Sequence, residues 1–295
     1  MTTQSEAGVT LAAYVLTLNE EANIPGAIAS IRQVTDNIVI VDSGSIDQTV
    51  ERAQAAGVAV QVRPFDTFGQ QRNFAMDRVV ELFDPEWIVT IDADERLSSG
   101  LVEELRNLGR AASPVIVDAY MVPLAVRFEG RILRHGGLGR SRLLRVYRPN
   151  AGRYESRSVN EHFVLRPRAI LGRLRHPIEH EDVASWERHI AKHNRYSTLE
   201  AAERVRQSDT DSHAVAVRDA VRARYLRRRW IRERVWNRMP AKPLLRFVQM
   251  YVVCGGFLDG RPGMDIAIFQ AWQELCTESK FRELKRASAA PPNTT

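Results

Sequence analysis

The chain has only two cysteines in 295 residues, Cys254 and Cys276. They are too far apart for zinc-type ligand spacing, and so small a number excludes a disulfide framework. Buried free thiols are the expectation. A long hydrophobic run is also missing. No stretch approaches the ~20 apolar residues of a membrane span. The longest late candidate, Phe247 to Val253, is interrupted by Gln249. The first residues lack a basic start followed by an apolar run, so no export signal is read and cytosolic placement is expected. No internal repeat occurs. The segment Thr17-Leu18-Asn19-Glu20, after the first apolar run, is glycine-free and acidic. It does not suit a Gly-rich loop that cradles phosphates.

What is present is ordinary in amount and uneven in place. A hydrophobic fraction of 44% and a charged fraction of 26% fit a globular chain and exclude wholesale disorder. Only the two ends read as loose. The net charge is +6, with arginines crowded between Arg222 and Arg238. Such a run suggests an anionic partner: a phospholipid surface, a phosphorylated substrate or nucleic acid. Tyr225, Trp230 and Trp236 lie among these arginines, but apolar and basic residues do not separate into clean helical faces. A solvated helical face is the alternative.

Strand and helix signals alternate through the first part. Thr10–Leu16, Asn37–Val41, Val58–Val62 and Trp87–Ile91 read as strands. Helices are expected over Asn23–Ile31 (with Pro25 in the first turn), Asp47–Ala56 (stopped by Gly57), Phe68–Val80 and Ser98–Leu108. This succession predicts an α/β fold with a mostly parallel sheet covered by helices. Shorter strands follow after Pro114, among them Ala119–Val126, Leu143–Tyr147 and His162–Leu165. From Ala184 the chain reads as helical, and Trp186, Ile190, His193 and Tyr196 fall near one helix face, a spacing expected for core contact. The expected division is a ligand-binding half at 1–128, a second half of the same domain at 129–183, and a helical, basic extension at 184–295.

Three of the first four strands end in polar clusters, and in a parallel sheet those ends share the edge where ligands bind. Strand one ends in Thr17, Asn19 and Glu20, strand two in Asp42-Ser43-Gly44-Ser45, and strand four in Asp92-Ala93-Asp94-Glu95. Two carboxylates at such an edge can hold a hard divalent cation, which in turn holds a diphosphate. The bland alternative for Asp94 and Glu95 is the start of a capped helix. Asp42 can accept a hydrogen bond from the ring N–H of a uracil, or serve in an Asx turn. Arg72 can pair with a phosphate or a base oxygen, or be a solvated surface residue.

The ordered series Leu-Asn-Glu-Glu, Val-Asp-Ser-Gly-Ser-x-Asp-x-Thr and Asp-Ala-Asp-Glu resembles the family 2 glycosyltransferases. More narrowly, it is similar to the bacterial lipopolysaccharide-core and related β-glucosyltransferase group. Arg134-His135-Gly136-Gly137, Asn160-Glu161-His162, Asn194-Arg195-Tyr196-Ser197 and Gly256-Phe257-Leu258-Asp259-Gly260 extend the likeness over roughly Thr10 to Leu284. The resemblance implies a GT-A fold, a nucleotide-sugar donor, a divalent metal (Mg²⁺ or Mn²⁺) and inversion by single displacement. Carried onto this chain, it implies donor contacts from Thr17, Asn19, Glu20, Asp42, Arg72 and Asp92, a metal on Asp94 supported by Asp92, and Glu161 as the base for the acceptor hydroxyl. Two positions depart from the pattern. Ile46 stands where Thr is frequent, with an altered helix-start hydrogen bond as the expectation, and Asn160 stands where a His commonly precedes the Glu. His135 is a candidate to face the acceptor, and His162, His176 and His180 are candidates for a third metal ligand.

The expected function is transfer of a hexose, from a UDP-sugar, to a glycan or lipid-linked acceptor of the cell envelope. The expected site is the cytosolic membrane face, with Arg222–Arg238 against anionic lipid and no nucleic acid partner. A non-catalytic binding protein of the same fold and a nucleotidyltransferase are the competing readings.

Overall fold

The computed structural model describes residues 9–108, 117–155, 162–180, 186–208, 239 and 241–289. By contact the chain divides into two compact units, Met1–His189 and Ile190–Thr295.

The first unit opens with β1 (Leu11–Thr17), α1 (Ile24–Ile31), β2 (Ile38–Asp42), α2 (Thr49–Ala55), β3 (Ala59–Val62), α3 (Phe68–Phe83) and β4 (Trp87–Asp92). The four strands are parallel, in the order β3-β2-β1-β4. The chain winds outward from β1 to β3 and returns on the other side of β1. The β1–β4 boundary is therefore a topological switch point, with a crevice at the strands' carboxyl ends.

The three inner strands β2, β1 and β4 are mostly apolar and buried because both of their faces are covered, whereas the edge strand β3 carries Gln61 and an exposed Val62. Alternation divides them between two cores. Leu11, Ala13 and Val15 of β1 pack with Ile40, Val89 and residues of α1, including Ile28 and Ile31. Ala12 and Tyr14 pack with Val39, Ile88 and residues of α3, including Met76 and Val79. Local chemistry sets the helix ends. Thr67 caps α3 by accepting from Gln70 N–H, and Asp84 ends that helix in the left-handed region, at φ 42°. Gly57 follows α2 at φ 71°, a C′ conformation glycine adopts without a Cβ penalty. Asn23 does not cap α1 with its side chain; its amide instead donates to Glu20 Oε2 at 2.8 Å.

After β4 come β5 (Glu95–Leu97), α4 (Ser99–Arg106), β6 (Ala119–Phe128), β7 (Arg131–Leu133), β8 (Arg142–Tyr147), β9 (Gly152–Tyr154), β10 (Phe163–Leu165), β11 (Leu171–Arg173) and β12 (Ile178–His180). Beyond β4 the sheet continues β8-β6-β12-β5, with β7 and β11 also on β6. Five of the main sheet's ladders are parallel and four antiparallel; the first half is wholly parallel, and the second is mixed, with β11 and β12 parallel to β6 among antiparallel pairs. Ser98 caps α4, accepting from Leu101 N–H. The expected helix start thus lies beyond the acidic pair, and Glu95 opens a short strand instead.

The helix α5 (Trp186–Ser208) runs from the first unit into the second. The second unit continues with α6 (Lys242–Val248), a π turn (Gln249–Val253), a 3₁₀ turn (Gly256–Asp259) and α7 (Arg261–Ala289). The expected single core face on α5 is not what forms. Trp186 and Ile190 are 45% and 42% exposed. Trp186 instead lies edge-on to Phe128, with ring centres 5.4 Å apart. His193 packs on Phe269, at 4.9 Å, and bonds Gln273 at 3.0 Å. Cys254 and Cys276 are free and only half-buried, not core thiols. No described helix is long and apolar enough to cross a membrane.

Candidate active site

The β1 and β2 ends form one laced edge. Asp42 is buried, and its carboxylate accepts four hydrogen bonds. The Thr17 hydroxyl donates at 2.9 Å, the Gly44 and Ser45 amides at 2.9 and 2.7 Å, and the Ser45 hydroxyl at 2.5 Å. The Asx-type turn, the alternative reading of Asp42, is therefore present. Asn19 sits at φ 56°, a region Asn tolerates better than most residues. Its N–H donates to the Ser45 hydroxyl at 2.8 Å and its Oδ1 accepts from Ile46 N–H at 2.9 Å. Glu20 N–H donates to Thr49 Oγ1 at 2.8 Å. The departure at Ile46 leaves this lacing intact: its side chain is 92% exposed, and only its backbone takes part.

At the β4 end, charge is concentrated and paired. Asp92 receives Arg72 at 2.9 Å on Oδ1 and Arg145 at 2.6 Å on Oδ2. Arg145 also reaches Glu95 Oε1 at 2.8 Å, and Glu95 Oε2 accepts from Asp92 N–H at 2.8 Å. Arg72 is buried on α3, donates to Thr90 at 3.3 Å and lies 5.5 Å over the Tyr154 ring. The solvated alternative for Arg72 does not occur. Arg145 was not singled out from sequence. It comes from β8, antiparallel to β4, a pairing that brings Val146 opposite Val89.

These contacts set the ionisation. Burial pushes the Asp92 carboxyl upward, but the guanidiniums of Arg145 and then Arg72 outweigh it and hold the group well below the usual carboxylate range. Glu95 moves the other way: burial raises it, and the charge of Asp92 adds to the rise against the pull of Arg145. Arg145 is disfavoured as a cation by burial, yet Asp92 and Glu95 more than compensate and keep it charged.

Asp94 is nearly buried, and His180 Nδ1 stands 3.4 Å from its Oδ1. Strand β12 places it there, since His180 pairs opposite Glu95 across the antiparallel ladder. A carboxylate oxygen and an imidazole nitrogen form a donor pair suited to a divalent cation. Among the described residues no three His, Cys, Asp or Glu side chains converge on one metal-sized point. One carboxylate, with the rest supplied by water and substrate phosphate, matches how Mg²⁺ is usually bound, and the imidazole adds a nitrogen donor suited to softer divalent metals. Both oxygens of Asp92 are engaged by guanidiniums, so Asp92 is arranged as an anchor beside this pair. Of the other histidines, His176 faces Glu104 at 3.3 Å. The His135 carbonyl accepts from Leu138 N–H in a local turn, and the His162 carbonyl accepts from Glu155 N–H next to the Tyr154–Phe163 pair of the β9–β10 ladder. Asn160 and Glu161 lie outside the described residues, as does Arg222–Arg238.

Residues 13–175, more than half of the chain, match the family model described as glycosyl transferase family 2. The lipopolysaccharide core biosynthesis glycosyltransferase LpsC of Rhizobium meliloti is 32% identical over 202 residues, spanning 66% of this chain and 72% of that protein. An uncharacterised glycosyltransferase of Rickettsia typhi is 33% identical over 41% of this chain, a match that spans only 40% of that relative's length. Among solved structures, Staphylococcus aureus TarS aligns with a TM-score of 0.45 at 14% identity, over 92% of this chain and 54% of that one. Glucosyl-3-phosphoglycerate synthase of Mycobacterium tuberculosis, in complex with Mn²⁺, UDP and glucosyl-3-phosphoglycerate, aligns with a TM-score of 0.32 at 24% identity, over 41% of this chain and 46% of that one. With a two-sided α/β sheet, polar strand ends at its switch point and a family match over most of the first unit, the chain belongs to glycosyl transferase family 2.

Proposed function

We propose that the chain is an inverting, metal-dependent hexosyltransferase. It moves a sugar from a nucleotide-sugar, a UDP-hexose, to a glycan or glycolipid acceptor of cell-envelope polysaccharide. The observation that carries this reading is the Asp94–His180 donor pair beside an Asp92 clamped by two arginines, at the carboxyl edge of the parallel strands. Family membership and the lipopolysaccharide role named for the LpsC relative support the acceptor class.

In this reading Asp94 and His180 hold the cation, which when bound acts as a Lewis acid on the leaving diphosphate. Asp92 keeps Arg72 and Arg145 charged and in place behind it. Thr17, Asn19, Glu20 and Asp42 shape the nucleoside end. Asp42 has no idle lone pair, so a uracil N–H would take the position of the Ser45 hydroxyl, a rotatable donor, while the two backbone amides stay. The acceptor oxygen attacks the anomeric carbon as the carbon–oxygen bond to the diphosphate breaks, and the carboxylate of Glu161 takes the acceptor's proton. Inversion follows because attack and departure lie on opposite faces.

Asp94→Asn tests the reading. A side-chain amide keeps the shape of Asp94 and loses its charge. The expected result is loss of Mn²⁺-dependent UDP-hexose turnover by at least ~100-fold, the scale of one electrostatic stabiliser, with folding unchanged. Turnover equal to wild type would sink it.

A further inference from the structure

Arg96 follows Asp92-Ala93-Asp94-Glu95 directly, is half-buried, and commits its guanidinium to backbone. Nη1 donates to the Ala93 carbonyl at 2.8 Å and to the Glu95 carbonyl at 2.7 Å, and Nη2 donates to the Asn23 carbonyl at 2.9 Å. Ala93 and Asp94 form the two-residue turn between β4 and β5. Two of the three bonds therefore bracket Asp94, on the carbonyl before it and the carbonyl after it. The third reaches the residue that opens α1, 73 positions earlier in the chain. Asn23 is tied in turn to the loop after β1. Its N–H donates to the Glu20 carbonyl at 2.9 Å, and its side-chain amide donates to Glu20 Oε2 at 2.8 Å. Leu97 N–H adds a second tie between β5 and α1, donating to Ser30 Oγ at 2.7 Å. On its other side β5 pairs with β12, which carries His180. The short strand β5 is thus a joint, and Arg96 is the side chain that fastens it to the donor loop.

Gly26 marks the space kept for this side chain. It lies inside α1, where glycine is a poor helix former, and its φ is not positive, so backbone freedom does not account for it. Packing does. A Cβ built at Gly26 would sit 2.5 Å from Arg96 Nη2 and 2.7 Å from Nε. The helix leaves out a side chain where the guanidinium lies. Arginine suits the task because its planar fork presents five N–H donors in fixed directions, enough to bridge three carbonyls. A lysine ammonium, on a flexible stem, has no such fork. Groups that hold a metal ligand from behind govern metal affinity by roughly ten- to hundred-fold. Arg96 stands behind Asp94 in this sense, acting through the backbone of the turn.

We propose that Arg96 is a positioning residue of the donor site. It fixes the turn that presents Asp94 and fastens that turn to the loop carrying Glu20, so that the cation end and the nucleoside end keep one spacing. The proposal rests on the reading of Asp94 and His180 as the cation's ligands. The test is Mn²⁺ binding by the full chain with UDP present, read without turnover from the electron paramagnetic resonance of free Mn²⁺. It compares the wild type, Arg96→Met, Arg96→Lys, Gly26→Ala, the Gly26→Ala/Arg96→Met pair and Asp94→Asn, with the unliganded melting temperature of each. Arg96→Met is expected to bind Mn²⁺ at least ~10-fold more weakly, and Arg96→Lys to recover little of it. Gly26→Ala should weaken binding in the same direction with its melting temperature held, since it displaces the guanidinium while supplying a better helix former. The pair should be no weaker than Arg96→Met alone, because the added methyl group acts only through Arg96. Wild-type affinity in Arg96→Met, or losses that add in the pair, overturns the proposal. So do losses in Arg96→Met and Gly26→Ala that track a fall in melting temperature, which would make Arg96 a fold contact alone. Binding kept in Arg96→Met but lost in Asp94→Asn refutes the role of Arg96 and leaves the donor reading standing. No Mn²⁺ binding by the wild type refutes the reading of Asp94 and His180, and the proposal with it.

Discussion

At the scale of single residues, Arg145 organises more of the site than any acid that sequence pointed to. It is almost fully buried, spans Asp92 and Glu95, and has no counterpart in a motif. Sequence shows an arginine within Leu143-Leu144-Arg145-Val146-Tyr147, an apolar strand run, and a buried cation in such a run implies a buried acid nearby. Which acid depends on β4–β8 pairing, a contact more than 50 residues apart that no local pattern reports. Arg145→Met leaves Glu95 buried without its cation, and the expected cost is about 3–5 kcal/mol by urea unfolding. Adding Glu95→Gln should recover part of it, since both charges are then gone. Arg145→Lys should not rescue, because one ammonium cannot reproduce a fork that bridges two carboxylates. A loss under about 0.5 kcal/mol, the range of ordinary surface substitutions, would refute the bridging role. Asp92 adds a pH signature. Its native carboxyl titrates below its ordinary value of 3.8. The stability it contributes is therefore full above that value and drains away as pH falls toward the native one. The stability gap between wild type and Asp92→Asn should accordingly be constant near neutrality and narrow below about pH 4. Denaturant melts at several pH values would read it; a gap that widened in acid would contradict the pairing with Arg145 and Arg72.

At the scale of elements, what was legible follows the range of the interactions. The first four strands and their helices announce themselves through apolar runs, Pro25 and Gly57, all local signals, and they form as read. The acidic ends of β2 and β4 were legible for the same reason, because a strand that stops in carboxylates puts them at its edge. The second half was read only as short strands, since β6, β8 and β12 are assembled by pairings remote in sequence. His180 owes its place beside Asp94 to one of them. The helix face proposed from Trp186, Ile190, His193 and Tyr196 failed because a period of 3.6 says which residues align, not which part of the helix is covered. The loops after β1 and β2 depend on each other, and Asn19 is the joint. It supplies a left-handed residue and an acceptor for Ile46 N–H. Asn19→Ala should cost about 2 kcal/mol, combining the strain of φ > 0 with one lost hydrogen bond. Asn19→Gly, which loses the bond but not the conformational ease, should cost about 1 kcal/mol. Thermal melts of the pair would show the order; equal losses would mean that the backbone angle contributes nothing.

At the scale of the whole molecule, the two compact units differ in charge as well as in architecture, and the residues assigned to donor and metal all belong to the first. Sequence showed the arginine-rich stretch but not the boundary that turns it into an opposition of −3 (22 Lys and Arg against 25 Asp and Glu in residues 1–189) and +9 (20 against 11 in residues 190–295). This division has a thermodynamic consequence. A ligand stabilises the cooperative unit that binds it in the native state, by an amount that grows with the logarithm of its concentration. UDP with Mn²⁺ at a hundred times its dissociation constant adds about 2.7 kcal/mol to that unit. Calorimetry on the full chain should therefore show the transition of residues 1–189 rising with UDP and Mn²⁺, and the transition of residues 190–295 staying where it was. Asp94→Asn should abolish the rise without moving the unliganded transitions, because the substitution removes the cation's carboxylate and not a core contact. If both transitions climbed together in the wild type, the second unit would share in holding the donor, and the assignment of Thr17, Asn19, Glu20, Asp42, Asp94 and His180 as a site complete within the first unit would fail.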